Sequence, residues 1–425
     1  MRLTRRAVLA ATTALTAALL APAAAGSAAA TGSTTAAPAS SGPTATALNG
    51  SGECDYPAKP IKGTPWALQR VLLDQLWQDT KGRDAEGRPV RVAVIDTGVD
   101  VKNPQLAGAV DVKSGTDLLS GPKDPARGPA VDLVGHGTKV AGIIAARPSP
   151  ASGFVGIAPE SVIIPIRQND EKGTGTSRTL AVGIKQAVDA GARVINISQE
   201  TTTPPGPDAD RELELAVGYA LARDVVVVAS AGNDGADGLP KPTYPAAYQG
   251  VLAVGASDRN NERAPFSQSG DFIGVAAPGV DMVSTVPGGG QCVDYGTSFA
   301  APYVAGVAAL IRAKHPDWKQ HQVVAQIEQT AERVANGRDR HVGWGVVDPA
   351  RALTEDDHPI DRVTTPQGPA HGIAAPQPAA LPFGESERER QVRLATYALG
   401  GTAALVAVIT GSAVVVRDRN RRRLP

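Results

Sequence analysis

Short runs of β-branched and aliphatic residues alternate with segments of helical periodicity through the middle of the chain. The apolar runs contain almost no polar residues, which is typical of parallel strands covered on both faces. We predict buried strands at 90–95, 162–166, 193–197, 225–229 and 251–254. We predict helices at 137–146, 179–190, 211–223, 298–314 and 321–332. This alternation indicates an α/β domain with a mainly parallel sheet.

Each end of the chain carries an apolar segment with the charge pattern of a membrane-targeting signal. Residues 1–28 begin with a basic stretch and continue with an Ala/Leu run, which predicts a signal peptide. The pair Arg5 and Arg6 leaves open whether export is general or of the twin-arginine type. Residues 394–416 are uncharged and, at about 1.5 Å per residue, long enough to cross a bilayer as one helix. The alternative for both segments is a helix buried in the fold.

The arginine-rich residues 417–425 follow the second apolar segment directly. Basic residues at a membrane flank favour the cytoplasmic side, so this tail is predicted to be cytoplasmic. The part of the chain between the two apolar segments is then extracellular. The sequence therefore predicts a single-pass protein of the plasma membrane.

Two segments of biased composition flank the predicted strands and helices. Residues 29–52 consist mostly of small residues and proline, which predicts a low-complexity spacer. Residues 356–393 are rich in proline and then in charged residues, which predicts a stalk. The remaining 53–355 should form one folded domain.

Charge and cysteine content narrow the function classes. The 425 residues hold 42 Lys+Arg and 42 Asp+Glu, so the chain has no basic surplus for a nucleic-acid backbone, and we expect no nucleic-acid partner. The cysteines Cys54 and Cys292 are too few for a thiolate zinc site; in an exported protein we expect them to form a disulfide, with two free thiols as the alternative. We expect no metal and no cofactor, although the sequence leaves calcium binding open.

Three polar residues lie where ligands of open α/β sheets bind, beyond the carboxyl ends of strands. Asp96 ends an apolar run and is either a structural cap or an orienting carboxylate. His136, the only histidine before residue 300, opens a predicted helix; a loop or capping histidine is the alternative. Ser298 lies in the first turn of a helix, where backbone amides stabilise negative charge, or where a serine simply caps the helix.

Together these residues supply a known chemistry. A serine hydroxyl becomes a nucleophile when an imidazole takes its proton, and a carboxylate orients that imidazole. Their chain order, Asp then His then Ser, is that of subtilisin. The motifs IDTG (95–98), GHGT (135–138) and GTSFAAP (296–302) resemble the three signature segments of subtilisin-like serine proteases.

The resemblance covers about residues 60 to 352 and implies a subtilisin-like three-layer fold and serine endopeptidase activity. It implies a catalytic Asp96, His136 and Ser298, and an oxyanion-hole donor at Asn233, for which a turn residue is the alternative. It further implies that substrate adds as an extended strand between two segments. The substrate-binding residues would be Gly173, Thr174, Gly175, Ser198, Gln199 and Glu200. Glu200 departs from the small residue usual in secreted members, so it would narrow the cleft or favour a basic substrate residue.

The whole architecture is similar to the mycosins, membrane-anchored proteases associated with type VII secretion. That resemblance implies a secretion membrane complex as a partner, beside peptide or protein substrates. The alternatives are a scaffold subunit of a secretion complex, in which proteolysis is secondary, and a general cell-surface protease. Substrate sequence and oligomeric state stay open.

Overall fold

The computed structural model describes residues 45–47, 54–119, 128–202, 209–333, 337–364 and 387–422. The chain divides into two compact units, Met1–Val363 and Thr364–Pro425. The predicted signal peptide, most of the predicted spacer and residues 365–386 of the predicted stalk lie outside the described residues.

The strands of the described residues are β1 (Ala45–Ala47), β2 (Arg91–Asp96), β3 (Thr116–Asp117), β4 (Val162–Arg167), β5 (Thr174–Thr176), β6 (Val194–Ile197), β7 (Val226–Ser230), β8 (Leu252–Ser257), β9 (Val275–Pro278), β10 (Met282–Thr285) and β11 (Gln291–Asp294). The α-helices are α1 (Trp66–Gln69), α2 (Leu73–Leu76), α3 (His136–Ala145), α4 (Ser177–Asp189), α5 (Ala209–Ala222), α6 (Thr297–Lys314), α7 (Gln320–Thr330), α8 (Pro349–Thr354) and α9 (Glu387–Arg421).

A parallel sheet forms the centre of the first unit. Among the described residues it has seven strands, in the order β3-β4-β2-β6-β7-β8-β9, and every neighbouring pair is parallel. The strand order reverses at β2, which lies between β4 and β6. Ligands of such sheets bind beyond the carboxyl end of the strand at the reversal. That end of β2 is Asp96.

Helices cover both faces of this sheet. Along β2, Val92 and Val94 belong to a core that includes residues of α3 and α6. The alternate residues Ala93 and Ile95 belong to a second core, which includes residues of α4 and α5. Since successive side chains of a strand point to opposite faces, the two cores lie on opposite sides of the sheet. The fold is the predicted three-layer α/β arrangement.

The structure confirms the five predicted strands and the five predicted helices, with ends that differ by at most three residues. The shorter strands β3, β5 and β9 were not predicted, and neither was the antiparallel pair of β10 and β11. These strands have two to four residues each, too few for a periodic pattern to stand out from a loop.

The predicted spacer and stalk each contain regular structure. Within the spacer, Ala45–Ala47 forms β1, which pairs antiparallel with β5. Within the stalk, the residues from Glu387 onward already belong to α9. Helix α9 of the second unit is long and apolar enough to cross a membrane.

A disulfide joins Cys54 to Cys292 in β11, with the two Cα atoms 6.3 Å apart. The residues that follow Cys54 run beside the segment that enters β11. The amide of Ala58 donates to the carbonyl of Gly289 over 3.0 Å, and the amide of Ile61 donates to Oε1 of Gln291 over 2.8 Å. The start of the folded domain is therefore fixed next to the segment that leads into α6.

Candidate active site

The carboxylate of Asp96 and the imidazole of His136 are in direct contact. Nδ1 of His136 lies 2.8 Å and 3.0 Å from the two carboxylate oxygens of Asp96. Asp96 is the last residue of β2 and is fully buried, whereas His136 is the first residue of α3. Because a carboxylate accepts hydrogen bonds, Nδ1 of His136 carries a proton and Nε2 holds the lone pair of the neutral ring.

The environment of His136 favours its charged form. Burial opposes the imidazolium, but attraction to Asp96 and the hydrogen bond with it outweigh burial, so the pKa of His136 is raised above its ordinary value. Lys139 acts against the imidazolium and Asp294 acts for it. These two side chains form a buried ion pair of 2.7 Å, so their effects on the ring largely offset each other.

The imidazole of His136 lies against the first turn of α6, which contains Ser298. The imidazole lies against Phe299, with ring centroids 5.3 Å apart, and Phe299 directly follows Ser298. The Ser298 hydroxyl donates to the carbonyl of Ser198 over 3.1 Å. Nε2 of His136 is buried and accepts no hydrogen bond from the residues that the structure describes.

Ser198 also compensates for a proline in α6. Pro302 lacks the amide that would donate to the carbonyl of Ser298 in a regular helix. The hydroxyl of Ser198 donates to that carbonyl instead, over 2.8 Å. Helix α6 therefore continues through its first turn without an unpaired carbonyl, and the end of β6 is bonded to the residue predicted as nucleophile.

Asn233, in the turn after β7, is fixed to the same helix start. Its Oδ1 accepts hydrogen bonds from the amide and the hydroxyl of Thr297, over 2.9 Å and 3.0 Å. The amide of Gly232 donates to the Thr297 hydroxyl over 3.1 Å. Since Thr297 precedes Ser298, the side-chain amide of Asn233 and the backbone amide of Ser298 lie at one helix N-terminus.

The predicted substrate-binding residues lie in two segments. Gly173, Thr174 and Gly175 lie at β5, which follows β4, and Ser198, Gln199 and Glu200 follow β6. Because β4 and β6 flank β2, the two segments lie on either side of Asp96. β5 carries the edge that pairs with β1.

Gln199 and Glu200 point into the protein, as Ser198 does. Gln199 is 1% exposed and donates to Oε1 of Gln168 over 2.5 Å, so its amide supports the segment that leads to β5. Glu200 is buried, and its Oε1 accepts a long 3.4 Å hydrogen bond from the amide of Asn233. The carboxylate of Glu200 therefore lies against the turn that holds Asn233.

Metal-ligating side chains do not cluster in the described parts of the chain, where no group of three or more His, Cys, Asp or Glu could hold an ion.

Comparisons with known proteins show the family to which the chain belongs. The sequence profile of the subtilase family (Peptidase_S8) matches residues 87–345. A thermophilic serine proteinase of Bacillus sp. (strain AK1) is 39% identical over 297 residues, which cover 69% of this chain and 68% of the relative. Subtilisin Savinase of Lederbergia lenta is 37% identical over 293 residues, which cover 69% of this chain and 99% of the relative.

Solved structures with the same fold include two proteases of type VII secretion systems. The MycP3 protease from the type VII (ESX-3) secretion system has a TM-score of 0.61 and 34% identity, covering 74% of this chain and 93% of that one. MycP1 from Mycobacterium smegmatis has a TM-score of 0.63 and 30% identity, covering 77% and 95%. The family match and these relatives show both the fold and the class of activity. The chain belongs to the subtilase family and is a subtilisin-like serine endopeptidase.

Proposed function

We propose that the chain is a membrane-anchored, extracytoplasmic endopeptidase that cleaves through Asp96, His136 and Ser298. The observation that carries this proposal is the contact between the Asp96 carboxylate and Nδ1 of His136, next to the helix turn that holds Ser298. Oγ of Ser298 attacks the peptide carbonyl while Nε2 of His136 takes its proton. Asp96 stabilises the imidazolium that forms.

The tetrahedral intermediate places a negative oxygen at the start of α6. The side-chain amide of Asn233 and the backbone amide of Ser298 donate to this oxygen, in a position that the two bonds from Thr297 to Asn233 define. As the intermediate collapses, His136 gives its proton to the leaving amine. A water then hydrolyses the acyl-enzyme, again with His136 as base, which restores the Ser298 hydroxyl.

Substrate binding by strand addition is part of the proposal. An extended peptide would lie between residues 173–175 and 198–200, with main-chain hydrogen bonds to the edge of β5. The antiparallel pairing of β5 with β1 supports this, because it demonstrates that the edge accepts an extended chain. A substrate at that edge competes with Ala45–Ala47.

The cellular setting completes the proposal. Helix α9 would anchor the protein with its arginine-rich end in the cytoplasm, after removal of the signal peptide of residues 1–28. MycP1, one of the similar structures, is an essential component of the type VII (ESX-1) secretion system. We propose the same association here. A scaffold role without proteolysis and a general surface protease remain the competing functions.

The test uses the full chain in membranes and a fluorophosphonate probe, which labels an activated serine. Mass spectrometry should find the label on Ser298, and Ser298→Ala should lose both labelling and peptide cleavage. Secretion is measured in the same strains. Normal secretion with Ser298→Ala, together with a wild type that neither labels nor cleaves, would refute the proposed proteolytic function. Absence of this chain from the purified secretion complex would favour the function of a general surface protease.

A further inference from the structure

The helix that carries His136 begins without a cap of its own. Its N-cap residue is Gly135, which has no side chain to accept a hydrogen bond from the first turn. The carboxylate of Asp132, three residues earlier, takes that place. Its Oδ2 accepts from the amide of Thr138 over 2.9 Å and from the Thr138 hydroxyl over 2.6 Å.

The other carboxylate oxygen of Asp132 holds the loop that leads to His136. Oδ1 accepts from the amides of Val134 and Gly135, over 3.1 Å and 2.7 Å. It also accepts from the hydroxyl of Thr97 over 2.8 Å. Asp132 is 4% exposed, so these five bonds form in a nearly dry environment, where each is stronger than in water.

Thr97 connects this carboxylate to both members of the Asp96–His136 pair. Thr97 directly follows Asp96, and its amide donates to Oδ1 of Asp96 over 2.8 Å. Its hydroxyl accepts from the amide of Gly137, the residue after His136, over 3.0 Å. One hydroxyl therefore bonds the chain neighbour of the imidazole while it donates to Asp132.

We propose that Asp132 is a positioning residue for the catalytic pair, because its carboxylate fixes the start of α3 and, through Thr97, the relative placement of Asp96 and His136. This inference rests on the function proposed for that pair. Asp132 touches neither the substrate nor the reacting atoms in the proposed mechanism.

The charge of Asp132 acts in the same direction as its hydrogen bonds. The N-terminus of a helix carries partial positive charge, which disfavours an imidazolium on its first residue, and a carboxylate at that end offsets it. The pKa of Asp132 is raised above its ordinary value, because burial outweighs the bonds from Thr138, Gly135 and Thr97, which favour its ionised form. The other charged groups that face His136 are Asp96 from β2, Lys139 from α3 and Asp294 from β11.

The first test is Asp132→Asn in the full chain. An amide cannot accept at both of its ends, so one group of donors loses its partner. We expect kcat to fall by about 10- to 100-fold with KM nearly unchanged, because displacement of the pair affects the chemical step. We also expect the acid limb of the kcat/KM profile to move to lower pH, because a weaker contact with Asp96 stabilises the imidazolium less.

If Asp132→Asn folds poorly, two variants of Thr97 test the same inference. Thr97→Val removes the hydroxyl at nearly constant volume, and Thr97→Ser retains it. Valine should reproduce the loss of kcat and the shift of the acid limb, and serine should restore both. Asp348→Asn, which removes the aspartate cap of α8, is the control for loss of a cap elsewhere and should leave the profile unchanged.

The active fraction is measured by fluorophosphonate titration, so that a loss of folded enzyme is separated from a loss of rate. A fall in kcat that only follows the active fraction, with an unmoved acid limb in Asp132→Asn and Thr97→Val, would overturn the positioning role. NMR titration of the His136 ring provides a readout that needs no proteolysis. A ring pKa lowered in both variants supports the inference even if the protein cleaves nothing, and an unchanged one refutes it.

Discussion

Two helices begin at the candidate active site, and both follow a glycine that provides no side-chain cap. Gly135 precedes α3 and His136, and Gly296 precedes α6 and its second residue, Ser298. At α3 the first turn is bonded by the carboxylate of Asp132. At α6 it is bonded by a neutral amide oxygen, Oδ1 of Asn233.

The difference between the two caps matches the charge that each helix start must stabilise. In the proposed mechanism a cation forms on the imidazole at the start of α3, where a nearby carboxylate is favourable. An anion forms on the substrate at the start of α6 in the proposed mechanism, where a carboxylate would repel it and a neutral amide leaves the positive end of the helix available. Both sites use a helix N-terminus behind a glycine. The residue that bonds the first turn, a carboxylate at α3 and a neutral amide at α6, decides whether negative charge is added there.

The glycines have steric as well as conformational causes. Gly135 has a φ of +85°, which side chains rarely adopt, and a Cβ there would lie 2.4 Å from the hydroxyl oxygen of Tyr56. A Cβ at Gly137 would lie 2.1 Å from the carbonyl oxygen of Gly98. The segment after β2 and the start of α3 can approach this closely only because Gly137 has no side chain, and the absence of a side chain at Gly135 leaves room for Tyr56.

Removal of the nucleophile at the start of α6 should give the largest effect. Ser298→Ala is expected to lower kcat by about 10⁶-fold, since the remaining rate comes from binding and the oxyanion donors alone. Steady-state cleavage of a peptide substrate by the full chain measures this. Ser149→Ala, in a surface turn, is the matched control and should retain full activity; a Ser298→Ala enzyme within tenfold of wild type would contradict the assignment.

Exchange of the neutral cap for a charged one tests the comparison directly. Asn233→Ala should lower kcat by about 10²–10³-fold, because one oxyanion donor is lost. Asn233→Asp should lower it further, because a carboxylate at the start of α6 repels the oxyanion. Measured kcat and KM for both variants give the answer, with Asn260→Asp in an exposed turn as the charge control. An aspartate variant more active than the alanine variant would contradict the argument from charge.

The pH dependence tests the start of α3. Below the pKa of His136 the ring is protonated and cannot act as a base, so activity is lost as the pH falls through that pKa. Because Asp96 raises this pKa, the acid limb of kcat/KM should lie above the ordinary histidine value of 6.5. A pH profile of the wild type measures it, and a limb at or below 6.5 would contradict the electrostatic account.

The smallest effect is expected at the edge of β5, away from both helix starts. Thr46→Pro removes the amide at the centre of β1 and should weaken its pairing with β5. A competing strand that binds less well should lower KM for an extended peptide by a few-fold, with kcat unchanged. Thr46→Ser keeps the amide and serves as control. An unchanged KM in the proline variant would mean that β1 and the substrate use different edges.

Much of the framework followed from local patterns. Buried strands such as β2 and β7 are continuous apolar runs, and helices such as α3 and α4 repeat their apolar positions every three to four residues. The three sequence motifs then indicated Asp96, His136 and Ser298. The position of α9 also followed from composition, because a long uncharged segment next to arginines has few alternatives.

The inward orientation of Ser198, Gln199 and Glu200, which were predicted to bind substrate, could not be predicted in this way. Nothing in the segment around Gln199 indicates that its side chain bonds to Gln168, which is 31 residues away. The signal for Asp132 was present in the sequence, as an acid shortly before a helix that starts with glycine and histidine. Its contact with Thr97, 35 residues away, gave that signal its meaning.

The sequence by itself determined the order of the five longer parallel strands and of the five helices predicted with them, the apolar termini and the residue types proposed to carry the chemistry. The tertiary structure decided which polar groups pair: Ser198 with the carbonyl that Pro302 leaves unbonded, Asn233 with Thr297, and Lys139 with Asp294 across 155 residues. The periodicity of apolar residues indicates which face of a helix or strand is buried, because the apolar or polar character of each residue can be seen in the sequence. Pairing depends on distances between elements remote in the chain, which are fixed only when the sheet and its helices have packed.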